Sequence, residues 1–397
     1  MWSPQWHNLI TQIHQQHQPA VLVVTGGGAS AIAELLAVPG ASRTILDAQV
    51  PYSSEALIAW LGRRPDQFCD ERTALAMASV AAYRAGQLLA KEATASDIAR
   101  PFGISCTASL ASDRPKRGDH RCFIALQSDT MTASYALTLK KGARSRAEEE
   151  ALVGQLIVRS LAAALGLTNL PDIPLRPTEI IQTQFQAATE SLSNVWKGAA
   201  QCVWSWPDGS FAAMPPVAPQ GLLCGAFDPL HCGHEELRRT AERRLGGLVA
   251  YEISVTNVDK PPLDFLTIER RRRQFQDVPL ALTNAPRFWQ KAQIYPGVTF
   301  VVGSDTAIRI MDAKYYGGDA DALRRALQQI RQTGCRFLVA TRALDGRVLA
   351  LPDLKVPDFA KDLFEEIPEA EFRVDISSTD LRCEHSQASV RRKPDGC

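Results

Sequence analysis

The sequence has few of the residues from which most metal and redox sites are built. Its 397 residues include seven histidines and nine cysteines, and no two cysteines are spaced as CxxC. Structural zinc sites and thiol redox motifs usually depend on such pairs. We therefore expect no metal site made by the protein itself, and thiols that stay reduced, as they do in the cytoplasm.

Long apolar runs and an excess of charge are also lacking. No segment approaches the length of a transmembrane helix, and the formal net charge is only +1. The first residues have neither a basic start nor an apolar core, so we expect no secretion signal. These absences argue against membrane and nucleic-acid partners and favour small-molecule partners.

The first residues instead predict an amphipathic helix. Ser3 suits the capping position before such a helix, and Pro4 suits its first position. Apolar side chains recur at helical spacing and share one face: Trp6, Leu9, Ile10 and Ile13.

Mixed patterns of strands and helices predict an α/β protein of two domains. Residues 1–170 are interpreted as an α/β layer domain. Residues 171–220 are rich in proline and turn residues and are interpreted as a connection with some structure of its own. Over residues 221–397 strands alternate with helices, which predicts a Rossmann-like, doubly wound parallel sheet.

The stretch CGAFDPLHCGH (224–234) contains two of the seven histidines, His231 and His234, between a predicted strand and a predicted helix. Gly225 allows a ligand to approach the backbone closely, and Gly233 leads into the helix. A helix that begins at the carboxyl end of a strand favours a bound anion there. Both imidazoles can donate hydrogen bonds to phosphate oxygens.

A second stretch, ISSTDLR (376–382), also combines a strand end with a helix start. Ser377 or Ser378 can cap the helix and leave backbone N–H groups free for a phosphate. Thr379 supplies a further hydroxyl. Arg382, one turn later, can reach the same phosphate with its planar guanidinium. Taken alone, this pattern favours an ordinary capped helix.

In this order, GAFDPLHCGH and ISSTDLR resemble the two signatures of the nucleotidyltransferase superfamily. The resemblance implies that His231, His234 and Arg382 are catalytic and that ATP is a substrate, with Mg²⁺ as its cofactor. It implies phosphate contacts at a larger set of positions: Gly225, Ala226, Phe227, Asp228, Gly233, Ser377, Ser378 and Thr379. The alternative interpretation of the two histidines is a metal site that includes Cys224 or Cys232.

The identity of the phosphate acceptor rests on weaker resemblances. The long separation of the two motifs is similar to that in the members that form dinucleotides. VTNVDKPPL (255–263) and VVGSDT (301–306) resemble segments of mononucleotide adenylyltransferases, which implies substrate contacts at Lys260, Gly303 and Asp305. A solvated lysine and a helix cap are the alternatives for Lys260 and Asp305.

The resemblance therefore implies transfer of AMP to a pyridine mononucleotide, either nicotinamide mononucleotide (NMN) or nicotinate mononucleotide. Two other functions stay open on the sequence. One is nucleotidyl transfer to another acceptor, of the pantetheine-phosphate or CDP-alcohol type. The other is nucleotide binding without catalysis.

The basic run ERRRRQF (269–275) invites a nucleic-acid interpretation. We favour a charged, solvated helix face, with Thr267 capping the helix and with Ile268 and Phe275 on its apolar side. No aromatic stacking platform accompanies the run.

The first domain resembles the CinA C-terminal family, which includes NMN amidases, over about residues 18–168. TGGG, PGAS and VPYSSEAL carry this resemblance. It implies a site at Thr25, Gly26, Gly27, Gly28, Tyr52 and Ser53, with the glycine amides available to a phosphate.

Three positions depart from the family. Thr25 stands at the position of the serine nucleophile, Val24 at that of a glutamate and Leu57 at that of a lysine. Amidase activity needs an activated hydroxyl, and the change at Leu57 removes the family's amine. Amidase activity and a non-catalytic role in ligand binding, oligomerisation or stability both stay open, and a homo-oligomer is compatible with the sequence.

Overall fold

The computed structural model describes residues 2–92, 101–114, 117–215, 217–257, 261–344 and 347–372. The chain divides into two compact units. The first unit comprises the described residues within Met1–Ser193 and Asp259–Ile268. The second comprises those within Asn194–Val258 and Glu269–Cys397.

The described residues form α-helices as follows: α1 (Pro4–Gln15), α2 (Ala29–Ala37), α3 (Ser54–Leu61), α4 (Glu71–Glu92), α5 (Arg146–Ala164), α6 (Glu190–Trp196), α7 (Cys232–Leu245), α8 (Phe265–Arg272), α9 (Phe288–Ile294), α10 (Ser304–Met311) and α11 (Ala320–Gln332). Short 3₁₀ turns lie at Ala41–Arg43, Ala313–Tyr316, Leu351–Asp353 and Asp358–Leu363. None of the helices in this described part of the chain combines the length and apolar composition needed to cross a membrane.

The strands are β1 (Ala20–Thr25), β2 (Ile45–Gln49), β3 (Phe102–Ser109), β4 (His120–Gln127), β5 (Met131–Leu139), β6 (Gln182–Ala187), β7 (Cys202–Ser205), β8 (Phe211–Ala212), β9 (Gly221–Cys224), β10 (Val249–Ser254), β11 (Leu280–Thr283), β12 (Thr299–Gly303), β13 (Arg336–Ala340), β14 (Arg342–Leu344), β15 (Arg347–Leu349) and β16 (Phe364–Ile367). β14 and β15 form a separate antiparallel pair.

The first unit is built on a mixed sheet in the order β2-β1-β3-β4-β5-β6. β1 runs parallel to β2 and β3, and the later neighbours pair antiparallel. β1 is buried on both faces because its side chains alternate between two cores. Leu22 and Val24 pack into the core that includes α1, α2 and α5. Val21 and Val23 pack against α3 and α4.

The N-terminal helix forms as the sequence predicts. α1 begins at Pro4, and the carbonyl of Ser3 accepts the N–H of Trp6 at 3.0 Å. All four predicted apolar side chains are buried in the core of the first unit: Trp6, Leu9, Ile10 and Ile13.

The second unit contains the predicted doubly wound sheet, so the α/β fold class is confirmed. Its strand order is β16-β13-β12-β9-β10-β11-β7-β8, and the six strands from β16 to β11 are parallel. The parallel part grows outward from β9 in both directions. The order reverses between β9 and β12, which is where such sheets bind nucleotides.

Helices cover both faces of this sheet. Leu222 and Ala250 pack into the core that includes α9, α10 and α11. Tyr251, the next residue along β10, faces the opposite side, where the Arg238 guanidinium of α7 lies 5.8 Å from its ring centre. α7 thus connects the parallel strands β9 and β10 across one face of the sheet.

The segment that we interpreted as a connection is shared between the two units. β6 extends the sheet of the first unit by pairing with β5. β7 and β8 extend the other sheet by antiparallel pairing beyond β11. The bounds of the units accordingly fall at Ser193 and Asn194.

The basic run also differs from its prediction. α8 begins at Phe265, and the Asp264 side chain accepts the N–H of Thr267 at 2.7 Å. Asp264 is therefore the cap that we had placed at Thr267. The side chain of Arg273 is 73% exposed, as a solvated face requires, but that of Arg271 is only 12% exposed.

Candidate functional site

The histidine motif follows β9, one of the two strands between which the strand order reverses. Leu223 of β9 pairs with Val301 of β12, so the segments that follow these two strands leave the sheet side by side. Cys224 pairs with Glu252 of β10 on the other side. The carboxyl ends of the three strands therefore lie side by side, and the turn from β9 leads into α7.

Gly225 and Phe227 shape the turn that follows β9. The Gly225 N–H donates to the carbonyl of Glu252 at 3.0 Å. A Cβ on Gly225 would lie 2.8 Å from Cζ of Phe227, so only glycine fits beneath this ring. Phe227 adopts the left-handed conformation (φ 46°) and is 1% exposed. We predicted a phosphate contact at Phe227, but its side chain lies in the core.

The Phe227 ring supports the second histidine. It meets the His234 ring edge-on with the ring centres 4.9 Å apart, and it packs in the same way on Tyr251 and Phe275. Aromatic packing of this kind holds ring orientations closely. The contact with the Phe227 ring therefore fixes the orientation of the His234 imidazole.

His231 and His234 lie together at the start of α7. Their ring centres are 3.8 Å apart, and His231 is the residue before the first turn of the helix. The His231 N–H donates to Nδ1 of His234 at 3.3 Å. In a neutral imidazole the proton then belongs on Nε2, which makes that atom a donor for a ligand. The predicted catalytic pair is thus brought together at a helix N-terminus.

Gly303 ends β12 and precedes α10, and Asp305 lies in the first turn of that helix. The sheet places them beside the histidine motif because β9 and β12 are neighbours. Lys260 and the ISSTDLR stretch, with Ser377, Ser378, Thr379 and Arg382, lie outside the described residues.

A buried ion pair that sequence reasoning missed lies under the motif. Glu252 accepts hydrogen bonds from the Thr283 hydroxyl and from Nζ of Lys291, and both charged side chains are almost fully buried. Burial opposes the charge on Lys291, but the Glu252 carboxylate outweighs it and raises the pKa of Lys291. The residue of β10 that pairs with Cys224, the first residue of the motif, is therefore part of a buried ion pair.

The metal alternative gains no support at Cys224. Burial raises the pKa of its thiol well above the usual value, and a metal-binding cysteine must lose that proton. Across the described ranges no group of three histidine, cysteine, aspartate or glutamate side chains is placed to hold a metal ion.

Four of the six candidate residues of the first unit line a cavity of about 220 Å³. Thr25 and Gly26 at the end of β1 line it together with Tyr52 and Ser53, which precede α3. The other lining residues are Ser54, Leu57, Phe68, Cys69, Thr107, Ala108, Ser109 and Arg146. Gly27 and Gly28, the other two predicted residues, are not among those that line it.

The side chains of this cavity are poorly suited to act as a nucleophile or as a base. The Thr25 hydroxyl donates to the carbonyl of Pro51 at 2.9 Å, so its proton is already engaged. Leu57 offers no base, and the guanidinium of Arg146, the charged group among the residues that line the cavity, has donors but no acceptor. Burial raises the pKa of the Cys69 thiol, which keeps it in the weakly nucleophilic protonated form.

The glycine turn is occupied by the protein's own groups. The Gly28 and Ser30 N–H groups donate to the carboxylate of Glu150 at 3.0 and 3.1 Å. Gly26 has φ 73°, and a Cβ there would lie 1.9 Å from the carbonyl oxygen of Ala108. A Cβ on Gly27 would lie 2.6 Å from Leu110. Close packing therefore requires glycine at Gly26 and Gly27. The Glu150 carboxylate accepts the Gly28 N–H, which we predicted to be available to a phosphate.

No known protein family matches the chain, and no curated protein does. Solved structures similar to part of it include competence/damage inducible protein CihA from Agrobacterium tumefaciens, at 16% identity and a TM-score of 0.30, covering 42% of this chain and 94% of that one. A competence or damage-inducible protein from Enterobacter asburiae has 16% identity and a TM-score of 0.29, covering 41% and 94%. A CinA superfamily protein from Escherichia coli has 13% identity and a TM-score of 0.28, covering 42% and 91%.

Proposed function

We propose that the second unit transfers AMP from ATP to a pyridine mononucleotide, NMN or nicotinate mononucleotide, and releases pyrophosphate. One observation carries the proposal. His231 and His234 stand together at the N-terminus of α7, which follows β9, one of the two strands between which the order of six parallel strands reverses. A helix N-terminus at the carboxyl end of such a strand is where α/β sheets commonly bind nucleotides.

The reaction needs charge stabilisation more than proton transfer. An oxygen of the acceptor's phosphate bonds to the α-phosphorus of ATP while the bond from that phosphorus to the bridging oxygen breaks. The electron pair leaves with pyrophosphate. The acceptor oxygen is already anionic, so the described site needs no general base.

In this proposal the histidines stabilise negative charge on the α-phosphate. Nε2 of His234 carries a proton because Nδ1 accepts the His231 N–H. The N-terminus of α7 adds its own partial positive charge. Mg²⁺ would arrive with the triphosphate and neutralise charge on its oxygens. Arg382, Ser377, Ser378 and Thr379 would bind the leaving phosphates.

A panel of acceptors tests this proposal. The full chain is incubated with ATP and Mg²⁺ together with NMN, nicotinate mononucleotide or pantetheine phosphate, and with CTP and choline phosphate. We expect pyrophosphate and a dinucleotide with the pyridine acceptors alone. Turnover with pantetheine phosphate or choline phosphate instead would assign another acceptor, and ATP binding without turnover would favour a non-catalytic protein.

A second candidate function belongs to the first unit. We propose that its cavity binds a pyridine nucleotide, and that any amidase activity there depends on Thr25. The observation in its favour is that Thr25, Tyr52 and Ser53 line one cavity. Ammonia release from NMN tests it with Thr25→Val, which removes only the hydroxyl. Thr11→Val is the matched control, because that hydroxyl also donates to a backbone carbonyl. Equal ammonia release by both variants excludes Thr25 as nucleophile.

A further inference from the structure

The turn that carries the histidines is held by a side chain from outside the motif. Gln274 follows α8, and its amide bridges two backbone groups of the turn. Its Nε2 donates to the carbonyl of Phe227 at 2.9 Å, and its Oε1 accepts the N–H of Leu230 at 2.8 Å. One side chain thus holds the turn at two points: at Phe227, two residues after Gly225, and at Leu230, the residue before His231.

Phe227 needs such support because its conformation is unfavourable. A bulky side chain at positive φ is rarely adopted unless the surroundings impose it. The ring packing described above fixes the side chain, and Gln274 fixes the carbonyl. Both the side chain and the carbonyl of this left-handed residue are therefore held in place.

Arg271, in the last turn of α8, adds a second contact. Its Nη2 lies 3.5 Å from the Asp228 carboxylate, and both side chains are mostly buried. The carbonyl of Arg271 in turn accepts a hydrogen bond from Nε2 of Gln274 at 3.2 Å. Asp228, predicted as a phosphate contact, is thus paired with an arginine of the protein.

These contacts lead directly to the histidines. Leu230, held by Gln274, is followed by His231, whose N–H donates to Nδ1 of His234. A shift of Leu230 would move that N–H and with it the group that sets the proton on Nε2 of His234. The position of Gln274 is therefore coupled to the orientation of the donor.

We propose that Gln274, assisted by Arg271, is a positioning residue that orients His231 and His234 toward the nucleotide. This inference rests on the proposed function, because it assumes that the histidines act on the α-phosphate. It assigns a role to part of the basic run, whose arginines the sequence suggested were merely solvated.

The test compares Gln274→Met with Gln276→Met in the full chain. Both remove an amide from a side chain of similar size, but Gln276 is exposed and lies beyond the turn. We expect Gln274→Met to lower kcat about 100-fold, with KM for ATP little changed, because small displacements of catalytic groups cost that much and the donors act in the transition state. Gln276→Met should match the wild type.

Gln274→Glu serves as the conservative variant. It keeps the acceptor for the Leu230 N–H and loses the donor to Phe227, so we expect an intermediate kcat. Amide hydrogen exchange at Leu230 should follow the same order, fastest in Gln274→Met. If Gln274→Met fails to fold, the Glu variant gives the comparison.

The outcomes separate this inference from the proposed function. A wild-type chain that forms no dinucleotide removes the proposed function, and this inference with it. An active wild type whose kcat is unaffected in both Gln274 variants overturns the positioning role alone. Accelerated exchange at Leu230 with unchanged kcat also overturns it, because the turn would then be held without serving the reaction.

Discussion

Gly225 links local sterics to the chemistry of the motif. It lies two residues before Phe227, whose ring is enclosed by the rings of His234, Tyr251 and Phe275. The space below that ring is too small for a methyl group, since a Cβ would come within 2.8 Å of it. Glycine is thus required here by the packing that orients His234.

Gly225→Ala should destabilise the second unit. The enclosed Phe227 ring has little room to move, and overpacking of this kind costs about 1–3 kcal/mol. Denaturant unfolding measures the change. Gly86→Ala in α4 is the control, since its Cβ meets no atom within 4 Å and alanine is the better helix former. A stability of Gly225→Ala equal to or above the wild type would disprove the enclosed packing.

At the scale of elements, α1 is attached to the first unit by a buried histidine as well as by its apolar face. Nε2 of His14 donates to the carbonyl of Leu35, and its Nδ1 accepts from the Thr44 hydroxyl, both at 3.0 Å. A neutral ring satisfies both contacts in this arrangement. Burial accordingly lowers the pKa of His14, despite the opposing hydrogen bond to Leu35.

The lowered pKa predicts a pH-dependent stability for the first unit. Below about pH 6.5 the unfolded chain binds a proton at His14 that the folded chain refuses, so the free energy of unfolding falls as the pH falls. Unfolding measured from pH 8 to pH 5 should show this slope. His14→Gln, which cannot titrate, should flatten it, and an unchanged slope would contradict the assignment.

A second group acts only in a more acidic range. Burial opposes the charge of Glu179, but hydrogen bonds from Arg144 and from the N–H groups of Arg176 and Lys140 lower its pKa to about 2. The stability that Glu179 contributes is present above pH 4.5 and is lost as the pH falls toward 2. The loss due to His14 can therefore be measured separately.

Elements with strong periodicity could be predicted from the sequence, and those defined by distant partners could not. The apolar spacing in α1 was enough to predict that helix. The alternation of strands with helices after Gly221 was enough to predict the parallel sheet. β6 reads QTQFQA, a polar strand whose place depends on pairing with β5. The buried carboxylate of Glu252 and the motif turn likewise depend on Lys291 and Gln274, residues without a local signal of contact.

At the scale of the whole molecule, the first unit is not a continuous stretch of chain. Residues 261–268 belong to it, although they follow β10 of the second unit. The Phe265 N–H donates to the Thr132 hydroxyl of β5 at 2.9 Å, and Leu266 packs on a small core that includes Ala74 and Ala125. No pattern in the sequence indicates this exchange, because it breaks the order of the domains.

Phe265→Ala should therefore destabilise the first unit. Phe265 is fully buried, and removing such a ring costs about 3–5 kcal/mol. Native-state hydrogen exchange at the amides of β4 and β5 reports the loss. Phe185→Ala in β6 is the matched control, since that ring is 61% exposed. Unchanged exchange in β4 and β5 would mean that residues 261–268 contribute nothing to the first unit.

The central claim is that His231 and His234 stabilise charge on the α-phosphate of ATP during AMP transfer. The most direct measurement is the rate at which ATP labelled at its α-phosphate transfers that label to a pyridine mononucleotide, in the wild type, in His234→Asn and in His17→Asn. His17 is exposed at positive φ, which asparagine tolerates, so it controls for the substitution. We expect transfer by the wild type and His17→Asn, with a loss of about 100-fold or more in His234→Asn. Undiminished transfer by His234→Asn, or no transfer by the wild type, would contradict the claim.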